Sequence, residues 1–202
     1  MKKKLLIAFS LTFLSAGAFA LTVLQLNLNQ LTALSEKVFV GKCVEVRPVS
    51  GVQGRNVEQV TFEVKEMLKG TPTSRVTFKQ LSDSGKPFKR NGMMVQTLPL
   101  GLPRYKVGQE AVIFLSHNDP TSGLTAPIGL FQGKFDVLTT DTGLKIVRNG
   151  INNQGLFVGM KTMNKNSALK TNSEIALEQK ILKNPKEIPL DDFSSLVKKL
   201  AQ

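Results

Sequence analysis

Apolar and polar positions change period three times along the chain. Residues Leu5 to Ala16 form an apolar run broken only by Ser10, Thr12 and Ser15. From Leu24 the spacing of Leu24, Leu26 and Leu28 alternates, and Leu28, Leu31 and Leu34 then fit a helical turn. This predicts a short helix over Leu28–Lys37. From Val38 onward the pattern is that of strands. Val38–Arg47 and Val57–Leu68 are rich in Val, Phe and Thr and are joined by the hairpin-like Gly51-Val52-Gln53-Gly54. In the second run Val60, Phe62 and Val64 alternate with Thr61, Glu63 and Lys65, giving one dry face and one wet face.

The β pattern continues after Lys69-Gly70-Thr71-Pro72 with Arg75–Leu81. Ser82–Arg90 reads as a polar, basic loop, and Gly92–Leu98 as a strand or part of a long excursion. Glu110–Ser116 is a continuous apolar run, as a buried strand would be. Leu124–Leu130, Lys134–Thr139 and Leu144–Val147 are three more short β segments, the last two joined by Asp141-Thr142-Gly143. So many short strands separated by Gly and Pro argue for a barrel or a sandwich. Asn149–Asn166 is rich in Asn and Gly and reads as irregular. Helical spacing returns at the end, with Ile175, Leu177, Ile181 and Leu182 following a cap at Ser173. A second stripe of Phe193, Leu196, Val197 and Leu200 follows Pro189. These helices either pack on the β domain or form a separable tail, and packing is the expectation because such apolar stripes are usually covered.

The first apolar run changes the picture once its flanks are included. Lys2-Lys3-Lys4 precedes it and Ala18-Phe19-Ala20 follows, which together form the signature of a cleavable secretory signal. The run is short of the roughly 20 residues a bilayer span needs. The expected organisation is a signal peptide over 1–20, a β domain over 21–160 and a helical tail over 161–202. The expected location is the periplasm or the extracellular medium, with no stable membrane insertion after cleavage. Cys43 is the single cysteine, so no intrachain disulfide can form, and it lies in a strand-like run where a buried structural thiol is expected.

Charge narrows the choice of partner. The formal net charge is +12, and removal of the three lysines at positions 2–4 takes it to +9. That balance favours acidic proteins, lipid headgroups or glycans. With Tyr105 the only tyrosine and no tryptophan, stacking platforms for single-stranded nucleic acid are poorly supplied. The most distinctive stretch is Lys86-Pro87-Phe88-Lys89-Arg90 followed by Gly92-Met93-Met94. Basic residues beside methionines suit a surface that steers an acidic partner and then buries an apolar part of it, whereas the plainer and favoured reading is a solvated loop leading into an ordinary strand. Candidate binding residues are Lys86, Phe88, Lys89, Arg90, Met93, Met94, Arg104 and Lys106.

Catalytic chemistry is poorly provided for. His117 is the only histidine, which excludes zinc sites built on two or three His. No serine sits in a Gly-x-Ser-x-Gly context. His117 reads as a surface-turn residue, and Glu58, Glu63 and Glu66 as salt links on a solvated strand face. Asp83, Asp136 and Asp141 are spread over separate turns, and Asp191 and Asp192 fall in the first turn of the last helix. Gly129-Leu130-Phe131-Gln132-Gly133 reads as a β-bulge or tight corner. No catalytic residue, metal site or cofactor is assigned.

Four stretches taken together resemble a known module: Val38–Val46, Val60–Gly70, Arg75–Lys79 and Val107–Leu115. They are similar to the strands of the OB-fold domain in tissue inhibitors of metalloproteinases and netrin-like proteins. The chain also resembles a group of uncharacterised exported bacterial proteins that share this core and continue with Gly-Leu-x-Gln-Gly-x-Phe-x-Val, here Gly129–Val137. The resemblance implies a mainly β, OB-like barrel with a short N-terminal helix and C-terminal helices. It also implies a non-catalytic role in binding, with a secreted metalloprotease as one partner. The inhibitors resemble one another in an N-terminal Cys that chelates the protease zinc and in several disulfides, and this chain has neither. No inhibitory residue is carried over. Two roles follow as expectations: an interaction module for an exported protein, or an OB-type barrel that holds an anionic polymer (glycan or nucleic acid) by its basic loops.

Overall fold

The computed structural model describes residues 24–52, 55–82, 88–95, 101–160 and 184–202, with backbone only for 88–90 and 94–95. The expected signal segment, Lys86 and the helix expected after Ser173 lie outside these residues.

The first helix, α1 (Leu28–Leu34), starts where a capping box makes it start. Asn27 Oδ1 accepts from Gln30 N at 3.0 Å, and Gln30 Oε1 accepts from Asn27 N at 2.9 Å. Leu28 and Leu31 are fully buried. The helix ends three residues before the predicted Lys37, because Lys37 already belongs to a strand.

That strand, β1 (Lys37–Val52), pairs antiparallel with β2 (Arg55–Lys69), and β2 with β3 (Arg75–Leu81). Both β1 and β2 outrun their predicted lengths, and the longest extension, Pro48–Val52 of β1, carries no buried residue to mark it as strand although it pairs with the start of β2. The β1–β2 register shifts between Val40 and Gly41 and again between Cys43 and Glu45. Gly41 is required there, because a Cβ would stand 2.8 Å from Glu63 O. Such shifts increase local twist and let one strand serve two faces.

A two-stranded hairpin of β4 (Phe88–Arg90) and β5 (Met93–Val95) follows, paired outside the main sheet. The chain then supplies β6 (Glu110–Leu115), β7 (Lys134–Thr139), β8 (Lys145–Asn149) and the two-residue β9 (Ile188–Pro189). The main sheet is seven-stranded and antiparallel, in the order β3-β2-β1-β6-β7-β8-β9. The fold is therefore mainly β with two described helices, as the strand periodicity predicts.

Both faces of the sheet are dry where β1 and β6 run. Phe39 and Cys43 of β1 join Ala111, Ile113 and Leu115 of β6 on one face, with Val60, Phe62, Val76, Phe78 and Tyr105. Val38, Val40, Val112 and Phe114 lie on the other, covered by α1 and by α2 (Leu190–Leu200). Pro189 stands at the N-cap of α2, Asp191 and Asp192 follow in its first turn, and Lys198 and Lys199 close its last. Phe193 is fully buried against Phe114 and Phe135, with ring centroids at 6.1 and 4.8 Å. The predicted packing of this last stripe is thus observed.

Leu124–Leu130 is not the strand its residues suggested. It makes a single bridge, Leu115 with Pro127, then a 3₁₀ turn at Leu130–Gln132. Its role is to join two parts of the sheet. Thr125 N donates to Lys79 O of β3 at 2.8 Å, while Ile128 N donates to Phe114 O of β6 at 2.8 Å. The glycine-flanked segment is the predicted tight corner: Gly129 has φ 63°, and a Cβ on Gly133 would stand 2.2 Å from Ile128 O.

Candidate functional site

The structure gathers five of the eight predicted binding residues into one hairpin. Phe88 faces Val95, Lys89 faces Met94 and Arg90 faces Met93 in the β4–β5 register. Met93 is 68% exposed. The stretch Ser82–Arg90, expected as loop throughout, therefore ends in a strand at Phe88. The basic character was legible, and the strand was hidden because Lys and Arg say little about backbone form.

Arg104 and Lys106 belong to a different place. They are exposed on either side of Tyr105, which is buried edge-on against Phe62 and Phe78 at 5.6 Å each. Burial pushes the Tyr105 phenol well above its ordinary pKa. Among the described residues, neither its hydroxyl nor Gln80 Oε1, both buried, has a hydrogen-bond partner. Lys134 Nζ stands 5.7 Å over the Tyr105 ring and pairs with Asp136, which also accepts from Gln109 Nε2 at 2.7 Å. Asp136 is thus a strand residue in a polar cluster, not the turn residue its surroundings suggested.

Glu58 departs from the solvated-face reading, while Glu66 keeps a half-exposed salt link with a partner from α2. Glu58 accepts from Gln80 Nε2 at 2.8 Å and from Ser82 Oγ at 3.1 Å, so it is tied into the edge of the inner cluster. Glu66 pairs with Lys198 of α2. Glu110 receives Lys65 at 3.0 Å and Lys145 at 2.8 Å. Burial opposes its ionisation, but the hydrogen bonds from those two lysines outweigh it and hold the carboxyl below 4.5.

Cys43 and His117 are not brought together. Cys43 is 1% exposed, its thiol pushed upward by burial, and Sγ approaches Glu45 O at 3.8 Å. His117 is an exposed turn residue whose Nδ1 lies 3.2 Å from Glu36. Among the described residues no three His, Cys, Asp or Glu side chains cluster as metal ligands.

One concave site was not anticipated. The Asn- and Gly-rich segment expected to be irregular is a ribbon of overlapping turns. N–H groups of Asn152, Gln154, Leu156 and Val158 donate to the carbonyls of Asn149, Ile151, Asn153 and Gly155. Asn152 and Asn153 take φ of 55° and 59°, a left-handed conformation that Asn tolerates better than most residues. Buried Asn153 holds the ribbon in place, donating to Val147 O and to Pro185 O, each at 2.9 Å. The ribbon and Pro185–Lys186 line a cavity of about 670 Å³. Sequence offered one signal for it, the density of Asn and Gly, which marks turns without saying that they enclose space.

No family model matches this chain, and no curated protein or solved structure matches it.

Proposed function

We propose that the chain is an exported, non-catalytic binding protein: an OB-like barrel whose β4–β5 hairpin docks an exported protein, with a secreted metalloprotease as one partner class. The observation that carries this is the hairpin itself. It pairs outside the main sheet, its register sets Arg90 opposite Met93 and Lys89 opposite Met94 along the backbone, and Met93 is 68% exposed. A large exposed apolar side chain among basic residues is what a contact surface for an acidic protein needs. Supporting the barrel reading are the strand order β3-β2-β1-β6-β7 and the link from β3 through Thr125 back to the segment bonded to β6. Export rests on the sequence signature of residues 1–20.

The test is affinity capture from the exported proteins of the source organism. The bait is Leu21–Gln202, and Met93→Glu is the comparison. One exported protein retained at high salt, and lost by the variant, supports the reading. A second reading, that an anionic polymer is bound, is favoured by the exposure of Arg104 and Lys106. Capture of polymers alone, abolished at high salt and indifferent to Met93→Glu, would select it.

A further inference from the structure

The ribbon at 151–158 has a polarity that follows from its hydrogen bonds. The carbonyl of Gln154 accepts from Gln25 Nε2 at 3.0 Å, that of Leu156 from Leu28 N at 2.8 Å, and that of Val158 from Asn27 Nδ2 at 3.1 Å. Every second carbonyl therefore points at the segment Gln25–Leu28. In a trans peptide the carbonyl and the following N–H point in opposite directions. The described chain has no cis bonds. The N–H groups of Gly155 and Phe157 are consequently turned away from Gln25–Leu28. They donate to no group within the described residues.

The cavity is lined by all of Ile151–Val158 with Pro185 and Lys186, and the absence of Gln25–Leu28 from that lining argues for the far side. Its volume of about 670 Å³ is in the range of small-molecule sites. Ile151, Phe157 and Pro185 supply apolar wall, and the exposed Lys186 makes no ion pair with a described residue. The nearby carboxylate of Glu187 accepts from Asn184 Nδ2 at 3.1 Å and is not part of the lining. Two unpaired backbone donors, a cation at the rim and an apolar wall fit a negatively charged head on an apolar body.

We propose that this cavity binds a small organic carboxylate, its head held by the Gly155 and Phe157 N–H groups and Lys186, its aliphatic part against Phe157 and Ile151. The site is separate from the β4–β5 hairpin and does not depend on the role proposed for it.

The probe is hexanoate, titrated into the chain from Leu21 and followed by amide NMR, with inorganic phosphate as the head-only comparison. Hexanoate is expected to shift the Gly155 and Phe157 amides along one saturable curve, and phosphate to do so more weakly because it lacks the apolar part. Lys186→Gln should weaken hexanoate about two- to fivefold, the effect of one exposed charge contact. The proposal is overturned if the two amides do not move. It is equally overturned if they move no more than amides beside other exposed lysines and Lys186→Gln leaves the curve unchanged.

Discussion

Glu110 shows how a single side chain can be useful to stability although burial works against its charge. Its side chain is 17% exposed, and Lys65 of β2 and Lys145 of β8, each one strand removed from β6, converge on one carboxylate oxygen. Unfolding returns the carboxyl to its ordinary value near 4.5, above its value in the folded chain. The native state therefore binds fewer protons in this window. The contribution to stability is complete above pH 4.5 and is lost as pH falls through the folded value. Glu110→Gln should lower the melting midpoint at neutral pH and flatten its fall below pH 4.5, measured by thermal unfolding at stepped pH. Parallel pH profiles for parent and variant would show that other carboxylates govern the acid transition. Asn153 is the uncharged counterpart: buried, left-handed, and bonded through its side chain to three backbone groups. A glycine there would keep the backbone form and lose all three bonds.

At the scale of elements, α1 is finished by a residue from another strand. Lys69 Nζ of β2 donates to Thr32 O at 2.7 Å, Ala33 O at 3.2 Å and Ser35 O at 2.7 Å. All three ammonium protons meet the carbonyl end of the helix, where no glycine follows and the C-cap Ser35 Oγ donates only to Leu31 O, at 2.7 Å. Lys69→Met keeps the aliphatic stem and leaves those carbonyls without their donor. It should cost about 2 kcal/mol, or a fall of about 4–8 °C in melting midpoint for a chain of this size. Lys65→Met, removing one half-exposed partner of Glu110, should cost about 1 kcal/mol or less. The start of α1 was legible in the sequence because its cap is local, Asn27 with Gln30, whereas its end depends on Lys69, far along the chain. The same distinction separates the other outcomes. Arg75–Leu81 and Glu110–Leu115 announce themselves by alternation or by an apolar run. Leu124–Leu130 has similar composition, but Pro127 and Gly129 confine it to one bridge and a turn. Glu58 meets Gln80 through the register of β2 with β3, and Asp136 takes Lys134 from its own strand and Gln109 from the start of β6. The turn ribbon at 151–158 lines its open cavity together with Pro185, to which Asn153 is tied from far along the chain.

At the scale of the whole molecule, one pair of strands supports two apolar layers. Val38, Val40, Val112 and Phe114 face α2, while Phe39, Cys43, Ala111 and Ile113 face the opposite cluster. Loss of either layer removes one side of β1 and β6, so the two should unfold together. Cys43, 1% exposed and the only thiol, reports on the layer that α2 does not touch. Phe193→Ala removes a fully buried ring from the α2 side and should cost about 3–5 kcal/mol. If unfolding is concerted, reaction of Cys43 with a thiol reagent under native conditions should speed up by about 100-fold or more. That factor follows from tenfold per 1.4 kcal/mol in the opening equilibrium. Phe193→Leu, a smaller truncation, gives an intermediate point should the alanine variant fail to fold. A Cys43 rate that tracks the measured loss of stability across both variants would establish a single cooperative unit. A Cys43 rate that stays at the parent value while stability falls would mean that α2 and its layer detach alone, leaving β1, β2, β3 and β6 closed around the thiol.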